Sequence, residues 1–340
     1  MLKGLDSHVR PPLPRHNAPT EHFTAYHPTV DLREAYAFAR GIARLQPETG
    51  RVGHRLVWVR GAAFACNTLI ASDENSDAFA VVGRHTQCAI VLTEDPFVAL
   101  RHVLVRSIAL PAGGLAIRVL DLHTGRGFVL PDGTTRTSIF AEGPIAIAIG
   151  EYALVALPTE TKGDELPGEM PAPVVDTPPA VRDQLEALAL AMSPYRINAR
   201  PMNRMSRITL MPSPVMVGEP MAPSLGRLAT GGHYALTLSR AGRSATVILC
   251  DQDLERGVII GRSEKCHAEQ LRRITDENTS RTHVLVLREG DVVAAYDLAS
   301  TQGTYLNRLA ARRIVLSEST TLTFGRGDPR AAVQLLWQER

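Results

Sequence analysis

An internal repeat is the feature of this sequence that most restricts how the chain can fold. Two β-rich segments carry the same short motifs in the same order and at similar spacing. The matching motifs are Gly83-Arg84 with Gly261-Arg262, Cys88 with Cys266, His102 with His283, and Asp121-Leu122 with Asp297-Leu298. Such self-similarity predicts a duplicated domain instead of one large sandwich.

Both copies consist of short apolar runs separated by Gly, Asp, Asn and Pro. HRLVWVRG, FAVVGR and HVLVRS are examples from the first copy, and THVLVLRE and TLTFG are examples from the second. Runs of this length and composition are typical of β-strands joined by turns. We therefore expect an all-β protein with two tandem antiparallel β-sandwiches, the first at 51–158 and the second at 232–340.

The segments outside the two copies differ in composition from them. Residues 1–50 begin with a stretch rich in Pro and His, after which three- and four-residue spacing of apolar side chains predicts a helix near 31–46, capped by Asp31. Residues 159–231 hold many of the 23 prolines. They are predicted to form a linker with a helix near 180–192.

Charge and hydropathy exclude several classes of partner. The chain has 37 Lys and Arg against 35 Asp and Glu, a net charge of +2. This balance gives no overall field that would favour nucleic acid or an anionic membrane. No apolar run reaches the ~20 residues needed to cross a bilayer, and the first residues lack the apolar stretch of a signal peptide. We expect a cytoplasmic protein with no membrane span and no nucleic-acid partner.

Motifs for metals and catalysis are missing from the sequence. The four cysteines stand singly, without a Cys-x-x-Cys pair. The four histidines in the first 27 residues have irregular spacing, which does not suit a metal site. Phosphate-loop, nucleophile-elbow, zincin and kinase motifs are also missing. We expect no metal, no cofactor and no enzyme activity.

Hydrogen-bond donors gather at the strand ends of the second copy. Arg262 follows one strand, Ser280-Arg281 precede the next, and Ser300-Thr301 lie in a turn. His283 is the one nearby base, and its place before an apolar strand predicts a buried structural role. Arginine, hydroxyl and amide donors without a general base suit a fixed dianion such as phosphate. A phosphorylated side chain offers about −1.5 to −2 charges and three acceptor oxygens.

These motifs resemble the forkhead-associated (FHA) domain over roughly 233–338. The resemblance rests on Gly261-Arg262, on Ser280-Arg281-Thr282-His283, and on the run from Asp297 to Asn307. It implies a sandwich of two twisted antiparallel sheets. It also implies that loops at one end bind a phosphothreonine in an extended segment of a partner protein.

The resemblance further implies a role for each matching residue. Arg262 and Ser280 would be the main phosphate ligands, and Arg281 and Thr301 would add hydrogen bonds. Gln302 stands where the family usually has an asparagine that holds the main chain of the bound peptide, so the peptide preference stays open.

Four residues are implied as structural support of this site. Gly261 would let the backbone bend beside the phosphate, and His283 would hold the loop that carries Ser280. Gly303 and Asn307 would shape the adjoining turn.

The first copy resembles the same family but lacks most of the phosphate ligands. Ala99-Leu100 replace the Ser-Arg pair, Gly125 replaces the threonine, and Arg126 replaces the peptide-holding amide. Of the site residues, Arg84 and His102 are retained. We expect a degenerate sandwich that contacts protein, with Arg84 in a structural ion pair.

Two functions remain open at this point. The first is a phosphothreonine-dependent adaptor in bacterial Ser/Thr-kinase signalling, which binds a kinase, a kinase substrate, or its own linker through phosphorylated Thr161, Thr177 or Thr209. The alternative is a phosphate-independent scaffold that uses both sandwiches as protein-contact surfaces.

Overall fold

The structure is a computed structural model in which the regular structure of the described residues is mainly β-strand. It describes residues 30–45, 52–71, 78–110, 113–122, 124–159, 170, 174–176, 207–210, 215–216, 233–263, 266, 273–326 and 333–339. The helix predicted near 180–192 lies outside these residues, as do Thr161 and Thr177. Two antiparallel sandwiches are present, which confirms the predicted fold class.

The N-terminal sandwich comprises eleven strands. They are β1 (Gly53–Arg60), β2 (Ala63–Ile70), β3 (Phe79–Gly83), β4 (Ile90–Val91), β5 (Val103–Ala109), β6 (Leu115–Asp121), β7 (Phe128–Val129), β8 (Thr135–Arg136), β9 (Ser138–Glu142), β10 (Ile145–Ile149) and β11 (Tyr152–Pro158). One sheet has the order β2-β1-β11-β10-β7-β8, and the other contains β9-β6-β5-β3-β4. Inward side chains of both sheets, including Leu56, Val105 and Ile147, form the core between them.

Three short strands of the 159–231 segment extend the sheets of both sandwiches. They are β12 (Val174–Asp176), β13 (Arg207–Leu210) and β14 (Val215–Met216). β13 lies between β9 and β12 in the N-terminal sandwich, whereas β14 pairs in parallel with Val258–Ile259 of the C-terminal one. Thr209 has neighbouring strands on both sides, so binding of this residue in a pocket would require β13 to leave its sheet.

The C-terminal sandwich repeats the same connectivity. Its strands are β15 (His233–Arg240), β16 (Arg243–Cys250), β17 (Val258–Ile260), β18 (Val284–Glu289), β19 (Val292–Asp297), β20 (Thr304–Leu306), β21 (Leu309–Ala310), β22 (Arg313–Leu316), β23 (Thr321–Phe324) and β24 (Val333–Glu339). The sheet orders β16-β15-β24-β23-β20-β21 and β17-β18-β19-β22 match those of the first copy, except that the short edge strand β4 has no counterpart among the described residues. The duplication read from the motifs is therefore a duplication of topology.

The described residues include two helices beside the sheets. α1 (Leu32–Leu45) lies where the sequence predicts a helix, and the Asp31 carboxylate accepts a hydrogen bond from the Arg33 amide at 2.8 Å. Its apolar stripe, which includes Tyr36 and Ala39, covers the outer face of β1, β10 and β11. α2 (Asp251–Arg256) connects β16 to β17. Among the described residues, no helix is long and apolar enough to span a membrane.

The two sandwiches pack against each other through equivalent sheets. A second apolar cluster joins β3, β5 and β6 to β17, β18 and β19, and several of its members are repeat partners, such as Leu104 with Leu285. The rings of Phe79 and Tyr296 meet edge to face at 5.0 Å. The loops that carry Arg84 and Arg262 lie at the same end of the molecule, since Arg101, beside the first, donates to the Ala299 carbonyl beside the second.

Candidate functional site

Three loops of the C-terminal sandwich converge at one end of the sheet β17-β18-β19. The loop after β17 is hydrogen-bonded to the loop before β18, since the amides of Arg262 and Ser263 donate to the carbonyls of Ser280 and Arg281 at 3.0 and 3.1 Å. Gly261 makes this approach possible: a Cβ there would lie 2.1 Å from the Arg281 carbonyl oxygen. The two loops are therefore held side by side by backbone contacts.

His283 connects the second loop to the third. Its Nδ1 accepts a hydrogen bond from the Ser280 amide at 3.0 Å, and its Nε2 lies 3.3 Å from the Gly303 carbonyl oxygen. The ring is fully buried and stacks on Phe324. Since Nδ1 accepts, the proton of a neutral ring lies on Nε2 and is donated to Gly303. His283 therefore connects the loop that carries Ser280 to the loop that carries Gly303.

The third loop reaches the serine directly. The Thr301 amide donates to Ser280 Oγ at 2.9 Å. Asp297 stabilises this loop through its carboxylate. The carboxylate accepts hydrogen bonds from the amide and hydroxyl of Ser300, at 2.8 and 2.5 Å, and from the hydroxyl of Thr304 at 2.6 Å. Ser280 is thus held in place before any ligand arrives.

Sequence reasoning overlooked the supporting role of Asp297. A signal for this role was present, because an Asp followed three residues later by Ser or Thr commonly closes a turn through its side chain. The first copy shows the same arrangement between Asp121 and Thr124.

The turn that follows the third loop has the backbone conformation expected from its sequence. Asn307 and Arg308 have φ values of +51° and +68° and join β20 to β21 as a two-residue hairpin turn. Gly303 has φ of +78°, and its carbonyl also accepts a hydrogen bond from the Gly325 amide at 2.9 Å. Gly303 and Asn307 thus have left-handed backbone conformations in the segment that follows Thr301.

All but one of the side chains expected to contact a phosphopeptide are exposed to solvent. Arg262, Arg281, Thr301 and Gln302 are exposed, whereas Ser280 is buried except for 6% of its surface. Within the part of the chain that the structure describes, neither Arg262 nor Arg281 forms an ion pair or a side-chain hydrogen bond. The structure thus brings two available guanidinium groups and a positioned hydroxyl to one end of the sandwich.

The same end of the N-terminal copy retains the scaffold but not the ligands. His102 accepts from the Ala99 amide at 3.1 Å and lies 2.8 Å from the Gly127 carbonyl oxygen, as His283 does in the other copy. Arg84 Nε donates to the Val98 carbonyl. The expected ion pair of Arg84 is therefore a hydrogen bond to main chain.

Arg126 closes the rest of this end of the N-terminal copy. Its guanidinium donates to the carbonyls of Pro96 and Phe97 and lies 5.5 Å from the centre of the Phe97 ring. Both arginines thus donate to main-chain carbonyls of their own sandwich.

Burial makes the histidine of the C-terminal copy a source of acid sensitivity. Desolvation lowers the pKa of His283 to about 4. A histidine with an ordinary pKa near 6.5 when unfolded and a lower pKa when folded stabilises the fold above about pH 6.5. This contribution is lost as the pH falls from about 6.5 towards 4, because the unfolded chain then binds the additional proton.

We expect wild type to lose about 2 kcal/mol more unfolding free energy than His283→Gln between pH 7 and pH 5. Urea unfolding at the two pH values measures the difference. His85→Gln is the matched control, because His85 lies partly exposed on the loop after β3. This control should keep a pH dependence close to that of wild type, and equal pH dependence of wild type and His283→Gln would contradict the prediction.

Comparison with known proteins identifies the family of the C-terminal copy. Residues 258–325 match the model of the FHA domain family. The chain contains an FHA domain. The N-terminal sandwich, with the same strand order and the same histidine-centred loop contacts, is a second, FHA-like copy. No curated protein matches the chain.

Solved FHA domains resemble about a third of the chain. The FHA domain of the CT664 protein from Chlamydia trachomatis is 20% identical, with a TM-score of 0.26 over 32% of this chain and 98% of that one. A structure from a study of phosphothreonine-dependent FHA domain interactions is 26% identical, with a TM-score of 0.24 over 31% and 95%. The yeast Dun1 FHA domain, solved with a doubly phosphorylated peptide derived from Rad53, is 12% identical, with a TM-score of 0.27 over 34% and 82%.

Proposed function

We propose that this protein is a phosphothreonine-dependent adaptor whose C-terminal FHA domain binds a phosphorylated segment of a partner protein. The observation that carries the proposal is the end of the sandwich where Arg262 and Arg281 are exposed beside Ser280, within a domain that matches the FHA family. FHA domains are recognition modules, and we propose no catalytic step for this chain.

The arrangement suits a phosphate because most of the ordering takes place during folding. Ser280 Oγ accepts from the Thr301 amide and keeps its own hydrogen for a ligand oxygen. Arg262 can offer two parallel N–H groups to the phosphate, and Arg281 adds positive charge. Since the loops are already connected by main-chain hydrogen bonds, binding has to order few groups other than the long arginine side chains.

The peptide contacts beyond the phosphate follow from the same loop. The exposed Gln302 presents an amide that can donate to and accept from an extended peptide backbone. Its side chain is one methylene longer than the asparagine usual in the family. We propose that it holds the bound main chain with a different peptide preference.

We further propose a setting for this activity. The partner is a bacterial Ser/Thr kinase or a substrate of one, and binding takes place in the cytoplasm without a cofactor. The N-terminal sandwich, whose arginines are engaged internally, acts as a protein-contact scaffold.

The Arg262→Ala variant should lose at least tenfold in affinity for phosphothreonine peptides. The reason is the loss of a charged hydrogen-bond partner, which typically costs about 2–5 kcal/mol in such sites. The measurement is a titration of the full chain with a peptide pool that has a fixed phosphothreonine and degenerate flanks, with phosphoserine and unphosphorylated pools alongside.

Arg84→Ala is the matched control, because it removes the equivalent arginine of the degenerate copy and should keep wild-type affinity. Equal titration curves for wild type and Arg262→Ala would refute the assignment of the pocket. Capture of the unphosphorylated pool at the same affinity would favour the phosphate-independent scaffold instead.

A further inference from the structure

One arginine of the N-terminal sandwich contacts the loop between β19 and β20 of the FHA domain, which carries Thr301. Arg101 precedes β5 and is 8% exposed. Its Nε and Nη2 both donate to the Ala299 carbonyl oxygen, at 3.0 and 2.5 Å. Ala299 lies in the loop between β19 and β20, two residues before Thr301.

The carbonyl that Arg101 holds belongs to a residue in an unfavourable conformation. Ala299 has φ of +54°, in the left-handed region that residues with a Cβ rarely adopt. Such a conformation persists only where surrounding contacts impose it. Two hydrogen bonds from a buried guanidinium group, together with the Asp297 carboxylate that accepts from Ser300, are contacts of this kind.

A second side chain of the N-terminal sandwich reaches the same loop. Gln87 Nε2 donates to the Thr301 carbonyl at 3.4 Å. With the amide turned over, which satisfies both of its ends, the nitrogen donates to the carbonyls of Ser300 and Ala299 at 2.6 and 3.2 Å. Consecutive carbonyl groups of the loop are thus held from the other sandwich. The amide of the next residue, Thr301, then points at Ser280 Oγ, with a donor–acceptor distance of 2.9 Å.

The support is asymmetric between the two copies. By the repeat alignment, Arg101 occupies the position of Thr282. A threonine side chain has no guanidinium group and cannot donate two hydrogen bonds to one carbonyl. The degenerate copy therefore supplies a residue that the FHA domain does not itself carry at this position.

We propose that the phosphothreonine pocket is assembled from both sandwiches and that Arg101 is a positioning residue for it. Arg101 holds Ala299 in its strained conformation, and this sets the position of Thr301 and, through it, of Ser280. The inference rests on the proposed function, since it describes how that pocket is kept ready. Under this proposal the FHA-like copy positions a loop of the FHA domain, and this role requires no phosphate-binding residue in the FHA-like copy.

The chain offers a matched control for this proposal. Arg118 is 6% exposed and also donates from the N-terminal sandwich to a main-chain carbonyl of the other one, with its Nη2 at 2.5 Å from the Glu255 oxygen. Glu255 lies in α2, at the opposite end of the interface from the pocket loops. Arg118→Met therefore weakens the interface without touching the loop that holds Thr301.

The test compares full-length Arg101→Met, Arg101→Lys and Arg118→Met at a temperature at which all are folded. With the fixed-phosphothreonine peptide pool as probe, Arg101→Met should lose at least fivefold in affinity, because hydrogen bonds to a charged donor are among the stronger ones. Arg101→Lys should recover part of the loss, and Arg118→Met should stay within about twofold of wild type. Equal losses for Arg101→Met and Arg118→Met would overturn the proposal.

A second measurement needs no peptide. Hydrogen exchange of the Thr301 amide should be faster in Arg101→Met than in wild type and unchanged in Arg118→Met. If wild type does not bind phosphopeptides, the proposed function is wrong. The exchange rates of the Thr301 amide still decide whether Arg101 positions the loop. If wild type binds phosphopeptides and Arg101→Met matches it in both affinity and exchange, the inference alone is overturned.

Discussion

Glu289→Gln is expected to cost about 3–5 kcal/mol of unfolding free energy, because the change leaves buried arginines without their shared counter-charge. Glu289 ends β18, and its side chain is 5% exposed. One carboxylate oxygen is paired with Arg106 of the N-terminal sandwich, and the other lies 2.8 Å from Arg313 Nη2 of the FHA domain. The Tyr296 hydroxyl also donates to this carboxylate.

The size of the effect follows from burial. Desolvation raises the pKa of Glu289, and the neighbouring Arg106 and Arg313 act against it by favouring the charged form. Glutamine keeps the shape but not the charge, so two guanidinium groups that are each less than 5% exposed would repel each other. Because one of the arginines belongs to each sandwich, the loss falls on the interface between them.

Urea unfolding of wild type and Glu289→Gln measures the difference. Each sandwich carries one of the two tryptophans, Trp58 and Trp337, so single-tryptophan variants report on the two sandwiches separately. The control is Glu94→Gln, which removes a carboxylate from an exposed ion pair with Arg60 and should cost no more than about 1 kcal/mol. A similar small cost for Glu289→Gln would show that the buried cluster contributes little.

Gly261→Ala is expected to reduce affinity for phosphothreonine peptides about thirtyfold or more, which corresponds to about 2 kcal/mol. The added Cβ would lie 2.1 Å from the Arg281 carbonyl oxygen and 2.9 Å from that of Ser280. Main chain cannot move aside as a flexible side chain can, so the loops would separate. The hydrogen bond from the Arg262 amide to Ser280 would be lost with them.

The control for this prediction is a similar clash far from the pocket. A Cβ at Gly53 would lie 1.8 Å from the Leu69 carbonyl oxygen, within the β1–β2 pair of the N-terminal sandwich. Gly53→Ala should therefore lower stability while the folded protein keeps its phosphopeptide affinity. Wild-type affinity in folded Gly261→Ala would contradict the close packing of the two loops.

The sequence indicated the positions of the strands and the candidate ligands because both leave local traces. Alternation of exposed and less exposed residues in β16 reflects one face in solvent, and turn residues such as Asn307 mark a hairpin. Arg262 and Ser280 stand beside strand ends, next to motifs that recur in the same order in both copies. Information of this kind does not depend on what the sheet packs against.

The contacts between the sandwiches could be predicted from the sequence only in part. β5 and β18 begin with continuous apolar runs, VLV and VLVL, and the structure buries both faces of these runs. Such runs are typical of a sheet covered on each side, but they do not name the covering element. The arginines within β5 and β6 gave no indication that Arg106 would meet Glu289 or that Arg118 would reach α2.

The sequence by itself determined that the chain is a tandem duplication of an FHA-type sandwich, and it placed the candidate phosphate ligands of the proposed function in the second copy. Repeat motifs and strand periodicity are properties of neighbouring residues. Only the tertiary structure decided that equivalent sheets of the two copies meet, that Arg84 and Arg126 are engaged by main-chain carbonyls, and that Arg101 holds Ala299. These contacts depend on how two complete domains dock, because hydrophobic burial is non-directional and does not specify which surface covers an apolar face.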